Sequence, residues 1–161
     1  MGHEQDYSNT TSSRSKRILH LVFPGDELSV RGALRSATGA ISGHTAAAQV
    51  EGIVEIVLAE ALNNIVEHAY GPDRQGMIDL EIALRGEALM FQIMDDGHPM
   101  PGGELPKGTA QNLDVATEDM PEGGFGWFLI HELTEHLVYE RSGARNVLTF
   151  QIPLSTRQMP T

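Results

Sequence analysis

The stretch Val57-Leu-Ala-Glu-Ala-Leu-Asn-Asn-Ile-Val-Glu-His-Ala-Tyr70 places acids, amides and a histidine within an otherwise apolar helical pattern. At 100° per residue, Asn64 and His68 follow Glu60 at about 40° and about 80° around the predicted helix. Apolar side chains fill the opposite face, which suits a helix packed on a core. The polar face can point to water or into a binding site, and this stretch alone allows both interpretations.

The composition describes an acidic globular protein. Its 161 residues and 40% hydrophobic content suit one domain with a sizeable core. With 11 Lys and Arg against 22 Asp and Glu, the formal charge is −11, which disfavours nucleic acid and anionic membranes as partners. There is no cysteine, and no apolar run approaches the roughly 18 residues of a membrane span. We therefore expect a soluble, cytoplasmic protein that binds a small ligand or another protein.

Three elements are predicted before residue 72: a strand at 18–23, a helix at about 28–41 and the central helix at about 48–69. Asp26 is a suitable N-cap for the first helix. Gly71-Pro72 ends the central helix, because proline cannot continue it and glycine readily adopts left-handed backbone angles.

The downstream half alternates strands with irregular segments. Strands are predicted at 77–84 and 88–94, a long loop at about 98–122 with a short helical piece near 111–116, a helix at 127–136, and strands at 137–141 and 146–152. Hairpins separated in sequence from helices favour an α+β fold. The expected architecture is a two-layer sandwich of one mostly antiparallel sheet with helices on one face.

Two short motifs in this half are ambiguous alone. Asp95-Asp-Gly97 follows a strand and is either an ordinary turn or a carboxylate placed to accept a hydrogen bond from an exocyclic amine. Gly124-Phe-Gly126 opens a helix and is either a flexible loop or a backbone cradle for an anion such as phosphate.

Two other kinds of site are excluded. His131 and His136 are five residues apart, whereas the helical zinc motif needs a spacing of four. The glycine-rich segment also lacks the lysine and hydroxyl residue of a P-loop.

Taken in order, the motifs resemble the GHKL ATPase superfamily, whose domain is the Bergerat fold. Within it the chain is most similar to the anti-sigma-factor serine/threonine kinases of bacterial partner-switching systems. The resemblance rests on Glu60-Ala-Leu-Asn-Asn-Ile-Val-Glu-His-Ala-Tyr70, Asp95-Asp-Gly-His-Pro99 and Gly123-Gly-Phe-Gly-Trp-Phe-Leu-Ile130. It covers about residues 17–154, which we take as the kinase domain, with tails at 1–16 and 155–161.

The resemblance implies specific roles for single residues. Asn64 would bind Mg²⁺ through its amide oxygen, and Glu60 would be the catalytic carboxylate that accepts the proton of the attacking hydroxyl. Asp95 would bind the adenine amino group of ATP, with Gly97 beneath the base. The two glycines of the later motif, Gly124 and Gly126, would contact phosphate through their backbone.

Other positions match the family less closely. Either Asn146 or Thr149 would stand in for the family's adenine-side threonine. Lys107 is the only cation in the predicted lid and is either a phosphate contact or a solvated surface residue. Arg31 resembles the family's partner-contacting arginine, although an exposed, salt-bridged arginine fits as well. His68 is typical of the family helix and is either functional or a packing residue.

The leading hypothesis is an ATP- and Mg²⁺-dependent serine/threonine kinase. It would phosphorylate a small antagonist protein of the STAS type and sequester a sigma factor or analogous regulator. The alternative is a nucleotide-dependent protein-binding regulator with little or no kinase activity. Homodimerisation is an expectation of the family, and neither nucleic acid nor membrane is expected as a partner.

Overall fold

The computed structural model describes residues 14–44, 46–108 and 124–155. The predicted helical piece at 111–116, Gly123 and most of both predicted tails lie outside these ranges. The strands are β1 (Lys16–Pro24), β2 (Met77–Arg85), β3 (Ala88–Asp95), β4 (Glu135–Ser142) and β5 (Arg145–Pro153). The α-helices are α1 (Glu27–Ser42), α2 (Glu51–Asn64) and α3 (Gly124–Leu133).

The strands form one sheet in the order β1-β2-β3-β5-β4, and every neighbouring pair is antiparallel. Alternate residues of the central strands are buried, as period-2 geometry requires. Leu80, Phe91 and Phe150 belong to the same hydrophobic core as the apolar residues of the three helices. The predicted α+β fold, a mostly antiparallel sheet with helices on one face, is confirmed.

Helix α1 begins at the predicted cap. Asp26 accepts hydrogen bonds from the backbone N–H of Ser29 at 2.7 Å and from its hydroxyl at 2.9 Å. The first of these bonds satisfies one of the N–H groups left free at a helix start. The buried face then follows helical spacing through Val30, Ala33, Ala37 and Ile41.

The central helix is not uniform, although it was predicted as one helix over 48–69. A 3-10 turn at Ala48–Val50 precedes α2, and a π-helical segment at Ile65–Tyr70 follows it. The N–H of Gly71 donates to Val66 O at 3.0 Å, an i to i−5 bond that closes the wider turn. Gly71 then adopts a φ of 65° and ends the helix where predicted.

Helix α3 was predicted over 127–136 with Gly124-Phe-Gly126 opening it; the glycines do open the helix, but its predicted end is wrong. It begins at Gly124, so Gly126 lies in its first turn, and it ends at Leu133. The hydroxyl of Thr134 donates to Ile130 O at 2.6 Å, and His136 adopts a left-handed φ of 53° at an irregularity of β4. The hydrophobic pattern continues past the helix end because β4 begins at once.

Among the helices within the described ranges, none combines the length and apolar character needed to cross a bilayer.

Candidate functional site

A cavity of about 740 Å³ lies between the end of the central helix, the neighbouring strands β3 and β5, and α3. This volume is within the usual range for small-molecule sites. Its walls are largely apolar, and a few polar side chains converge on it: Asn64, His68, Asp95, His98, Tyr139 and Asn146. The structure therefore brings residues of the central helix and of the Asp-x-Gly motif to one cavity.

One end of the cavity is built around Asp95, the last residue of β3. Its side chain is buried, and Oδ1 accepts two hydrogen bonds at 2.9 Å, one from the N–H of Gly97 and one from Nδ2 of Asn146. Burial raises the pKa of Asp95, while these two hydrogen bonds lower it. Both bonds end on Oδ1, and no hydrogen bond from residues 14–44, 46–108 or 124–155 is recorded to Oδ2, so this oxygen can accept from a ligand.

Asn146 is held by a full set of hydrogen bonds. Nδ2 donates to Asp95 and also to His98 O at 2.8 Å, while Oδ1 accepts from the hydroxyl of Tyr139 and from Arg141 at 3.0 Å. An amide has two N–H donors and two lone pairs on its oxygen, so all four positions are occupied. Asn146 therefore cannot bond a ligand without giving up a protein partner.

Thr149, the other residue considered for the adenine side, lies elsewhere. It pairs with Gln92 and Val138 across the sheet and is three positions after Asn146, so it projects from the opposite face of β5. The cavity lining includes Asn146 and Leu148 but not Thr149.

Gly97 has a packing role that the sequence did not indicate. A Cβ at this position would lie 2.7 Å from the carbonyl carbon of Ala69, and the next residue, His98, donates its N–H to Ala69 O at 2.7 Å. The π-helical segment thus docks directly on the Asp-x-Gly turn. Its predicted place beneath a base remains a prediction.

At the other end of the cavity the central helix meets α3: Ala61, Asn64 and Trp127 line the cavity there, whereas Glu60 and Gly126 lie beside it and are not lining residues. A Cβ on Gly126 would collide with Oε2 of Glu60 and lie 3.3 Å from its Cδ. The carboxylate of Glu60 therefore lies against the first turn of α3. Sequence reasoning assigned both residues to one site but not to direct contact.

Asn64 lies one helical turn after Glu60 and lines the cavity. Its Nδ2 atom is buried and has no hydrogen-bond partner among the described residues. Leaving a buried polar atom unpaired costs about 1–3 kcal/mol, so a ligand is expected to complete it. Rotating the amide by 180° exchanges nitrogen for oxygen, and an amide oxygen suits Mg²⁺ alongside phosphate oxygens and water.

His68 lines the cavity one turn further on, with its ring largely exposed and 3.7 Å from the Glu67 carboxylate. Asn63 is also exposed. The predicted polar face is therefore divided: Asn64 and His68 line the cavity, whereas Asn63 and Glu67 face solvent.

The first part of the predicted lid packs on α3. A Cβ on Gly108 would collide with the backbone N of Phe128, and the His131 ring donates from Nε2 to Pro106 O at 2.8 Å. Lys107 is exposed between these two contacts. The remainder of the lid lies outside the described residues.

Arg31 and Arg35 are exposed on α1, and neither takes part in an ion pair within the described ranges. His131 and His136 lie on different elements. Across those same ranges, no three His, Asp or Glu residues are grouped as metal ligands.

Residues 23–152 match the model of the histidine kinase-like ATPase domain. This chain belongs to that family. The match spans both ends of the cavity and confirms the resemblance to GHKL ATPases drawn from the three motifs.

Two curated relatives are protein kinases. The chain is 28% identical over 83 residues to serine-protein kinase RsbW of Oceanobacillus iheyensis, a match covering 51% of this chain and 52% of the relative. It is 34% identical over 91 residues to serine/threonine-protein kinase BtrW of Bordetella bronchiseptica, covering 56% of this chain and 61% of the relative. The aligned segments thus span between about half and three-fifths of these relatives.

Among solved structures, a blue-light activated histidine kinase, Erythrobacter litoralis EL346, superposes on 80% of this chain and 42% of its own, with a TM-score of 0.49 and 21% identity.

Proposed function

We propose that this protein is an ATP- and Mg²⁺-dependent serine/threonine kinase of the anti-sigma-factor type. Its substrate would be a STAS-type antagonist protein, and its second partner a sigma factor or analogous regulator. The observation that carries the proposal is the contact between Glu60 and Gly126, with Asn64 one turn away, whose amide nitrogen has no hydrogen-bond partner in the described part of the chain. The carboxylate that we propose as the general base thus lies against α3, one helical turn from the amide that we propose as the ion ligand.

The base end of the cavity is suited to adenine. The free oxygen of Asp95 is an acceptor, and the 6-amino group of adenine is a donor. Guanine presents a carbonyl oxygen at the same position, which would oppose a carboxylate. The family match and the two kinase relatives support ATP as the nucleotide.

At the phosphate end, this chain's residues would orient the γ-phosphate and the attacking hydroxyl. As the serine oxygen of the antagonist bonds to phosphorus, the bond to the bridging oxygen breaks and ADP leaves. Glu60 accepts the serine proton, and backbone N–H groups at the start of α3 bind phosphate oxygen. Asn64 would hold Mg²⁺ through its amide oxygen, and the bound ion would supply positive charge beside the phosphates.

The test is transfer of the labelled γ-phosphate of ATP to purified STAS-domain proteins from the same cell. We expect one of them to be labelled on serine or threonine by the wild-type protein. Glu60→Gln should lower the transfer rate about 10²- to 10⁴-fold, as expected for loss of a general base, while ATP still binds.

Glu55→Gln is the matched control, because Glu55 is an exposed acid on the same helix. It should leave transfer unchanged. No transfer to any antagonist despite ATP binding, or full transfer by Glu60→Gln, would reject the kinase and leave the nucleotide-dependent regulator as the better account.

A further inference from the structure

We infer that Asn146 is a positioning residue, which holds the Asp95 carboxylate in the orientation that selects a purine carrying a 6-amino group. The inference rests on the proposed ATP binding and deepens it. It assigns the adenine preference to a pair of residues, one on each of two neighbouring strands. Asp95 touches the base, while Asn146 acts only through Asp95.

The sheet register creates this pair. Asp95 and Asn146 are directly opposite each other where β3 pairs with β5. Both side chains are buried, with 5% and 6% of their surface exposed, and they are the buried polar side chains among the described residues. Their 2.9 Å hydrogen bond is therefore shielded from bulk solvent, although both residues line the cavity.

The surrounding groups fix which way the Asn146 amide points. Its oxygen meets two donors, the Tyr139 hydroxyl and the Arg141 guanidinium, while its nitrogen meets two acceptors, the Asp95 carboxylate and His98 O. Rotating the amide by 180° would oppose donor to donor at Arg141 and acceptor to acceptor at Asp95 and His98 O, since only the Tyr139 hydroxyl can also accept. The nitrogen must therefore face Asp95.

Arg141 connects this pair to the turn beneath the base. The same guanidinium nitrogen that donates to Asn146 donates to Gly97 O at 2.8 Å. Gly97 N in turn donates to Oδ1 of Asp95. A closed set of hydrogen bonds thus binds Oδ1 from two sides and leaves Oδ2 as the acceptor for the base.

Loss of Asn146 would change the protonation of the Asp95 carboxyl group as well as the orientation of that group. Arg141 on β4 lowers the pKa of Asp95 and the adjacent Asp96 raises it, while burial and Asp95 itself raise the pKa of Tyr70 at the end of the π-helical segment; His98 lines the same cavity. Burial already raises the pKa of Asp95, and the Asn146 hydrogen bond opposes that rise. Without Asn146 the carboxyl would protonate at a higher pH and present an O–H group to the donor of adenine.

The experiment compares dissociation constants for ATP and for purine riboside triphosphate, which lacks the 6-amino group, between about pH 5 and pH 8. The ratio of the two constants reports the base end alone, because the triphosphates titrate alike. In the wild-type protein we expect ATP to be preferred, and the preference to fall as pH decreases through the pKa of Asp95.

Asn146→Leu should reduce the preference about tenfold or more, the cost of one hydrogen bond to a charged group. Asn146→Asp keeps the size and shape of the side chain in case the leucine variant does not fold. Because a second carboxylate raises the pKa of the first, it should move the midpoint of the preference to higher pH. Thr149→Val, on the same strand but the opposite face, should change neither quantity.

The outcomes separate this inference from the proposed function. If the wild-type protein binds neither nucleotide, the proposed function fails. If the wild-type protein prefers ATP and both Asn146 variants keep its ratio and pH midpoint, the positioning role is overturned while the kinase proposal stands. An equal loss of affinity for both nucleotides, with ratio and midpoint unchanged, would also overturn it, since a purely structural role predicts that result.

Discussion

The two ends of the cavity differ in how completely the protein satisfies their polar groups. At the base end, the Asn146 amide uses all of its donors and acceptors, and Asp95 is bonded from two sides. At the phosphate end, the Asn64 amide nitrogen has no partner among the described residues, and Glu60 rests against the bare backbone of Gly126.

The protein itself therefore fixes the polar side chains at the base end, whereas at the phosphate end a bound ligand would fix them. A preorganised base end lowers the entropy cost of binding and gives specificity through fixed hydrogen-bond directions. Groups left open at the phosphate end can change partners as phosphate and ion arrive and leave. The prediction is that substitutions at the two ends will affect different properties of the protein.

The largest effect is expected from Asp95→Asn. The variant amide oxygen can accept from Gly97 and Asn146 as before, which places an N–H donor where the free carboxylate oxygen was. That donor opposes the adenine amino group, so ATP affinity should fall about 100-fold, near the upper range for hydrogen bonds to charged groups. Titration calorimetry with ATP and GTP measures it, and the preference for ATP over GTP should disappear.

The matched control is Asp96→Asn, which makes the same change at the adjacent, exposed acid. It breaks a surface ion pair with Arg145 and should leave ATP affinity within about twofold. An equal loss in both variants would mean that general charge, and not the aimed oxygen of Asp95, governs binding.

A smaller effect separates two glycines, one at each end. Gly97→Ala sets a Cβ against the backbone of Ala69, which cannot yield, and should lower the free energy of unfolding by about 1–3 kcal/mol. Gly126→Ala meets only the end of the flexible Glu60 side chain, and alanine favours the helix, so stability should change by less than about 1 kcal/mol.

Urea denaturation of the two variants, paired with the phosphotransfer assay, measures the contrast. Gly126→Ala should instead slow phosphotransfer, because the added Cβ would displace the Glu60 carboxylate from its place against α3. Similar stability losses in both variants, with normal transfer by Gly126→Ala, would remove the distinction between the two ends.

Local sequence patterns accounted for most of the fold. The period of two in β2 and β3, the cap at Asp26 and the stop at Gly71 each depend on neighbouring residues, and the structure confirms them. The end of α3 was wrong because apolar periodicity runs on from Ile130 into β4, while the break depends on a threonine hydroxyl and the backbone of His136.

The site was predicted as a set of residues but not as a geometry. The contacts of Asp95 with Asn146, of Gly97 with Ala69, and of Glu60 with Gly126 join residues far apart in sequence. Strand register and helix docking create them, and neither can be read from a short pattern. The sequence does show Asn146 as a polar residue in a largely apolar strand. Its partner Asp95 cannot be read from that pattern, because it depends on how β3 pairs with β5.

The most direct test of a divided nucleotide site is an amide NMR titration with the two halves of ATP given separately. Adenosine should shift the Gly97 backbone and Asn146 side-chain signals, whereas tripolyphosphate with Mg²⁺ should shift those of Gly126 and the Asn64 side chain. Separate responses of this kind would support a base end at Asp95 and a phosphate end at Glu60 and Asn64. Shifts of Asn64 and Gly126 by adenosine, or no response to either ligand, would contradict it.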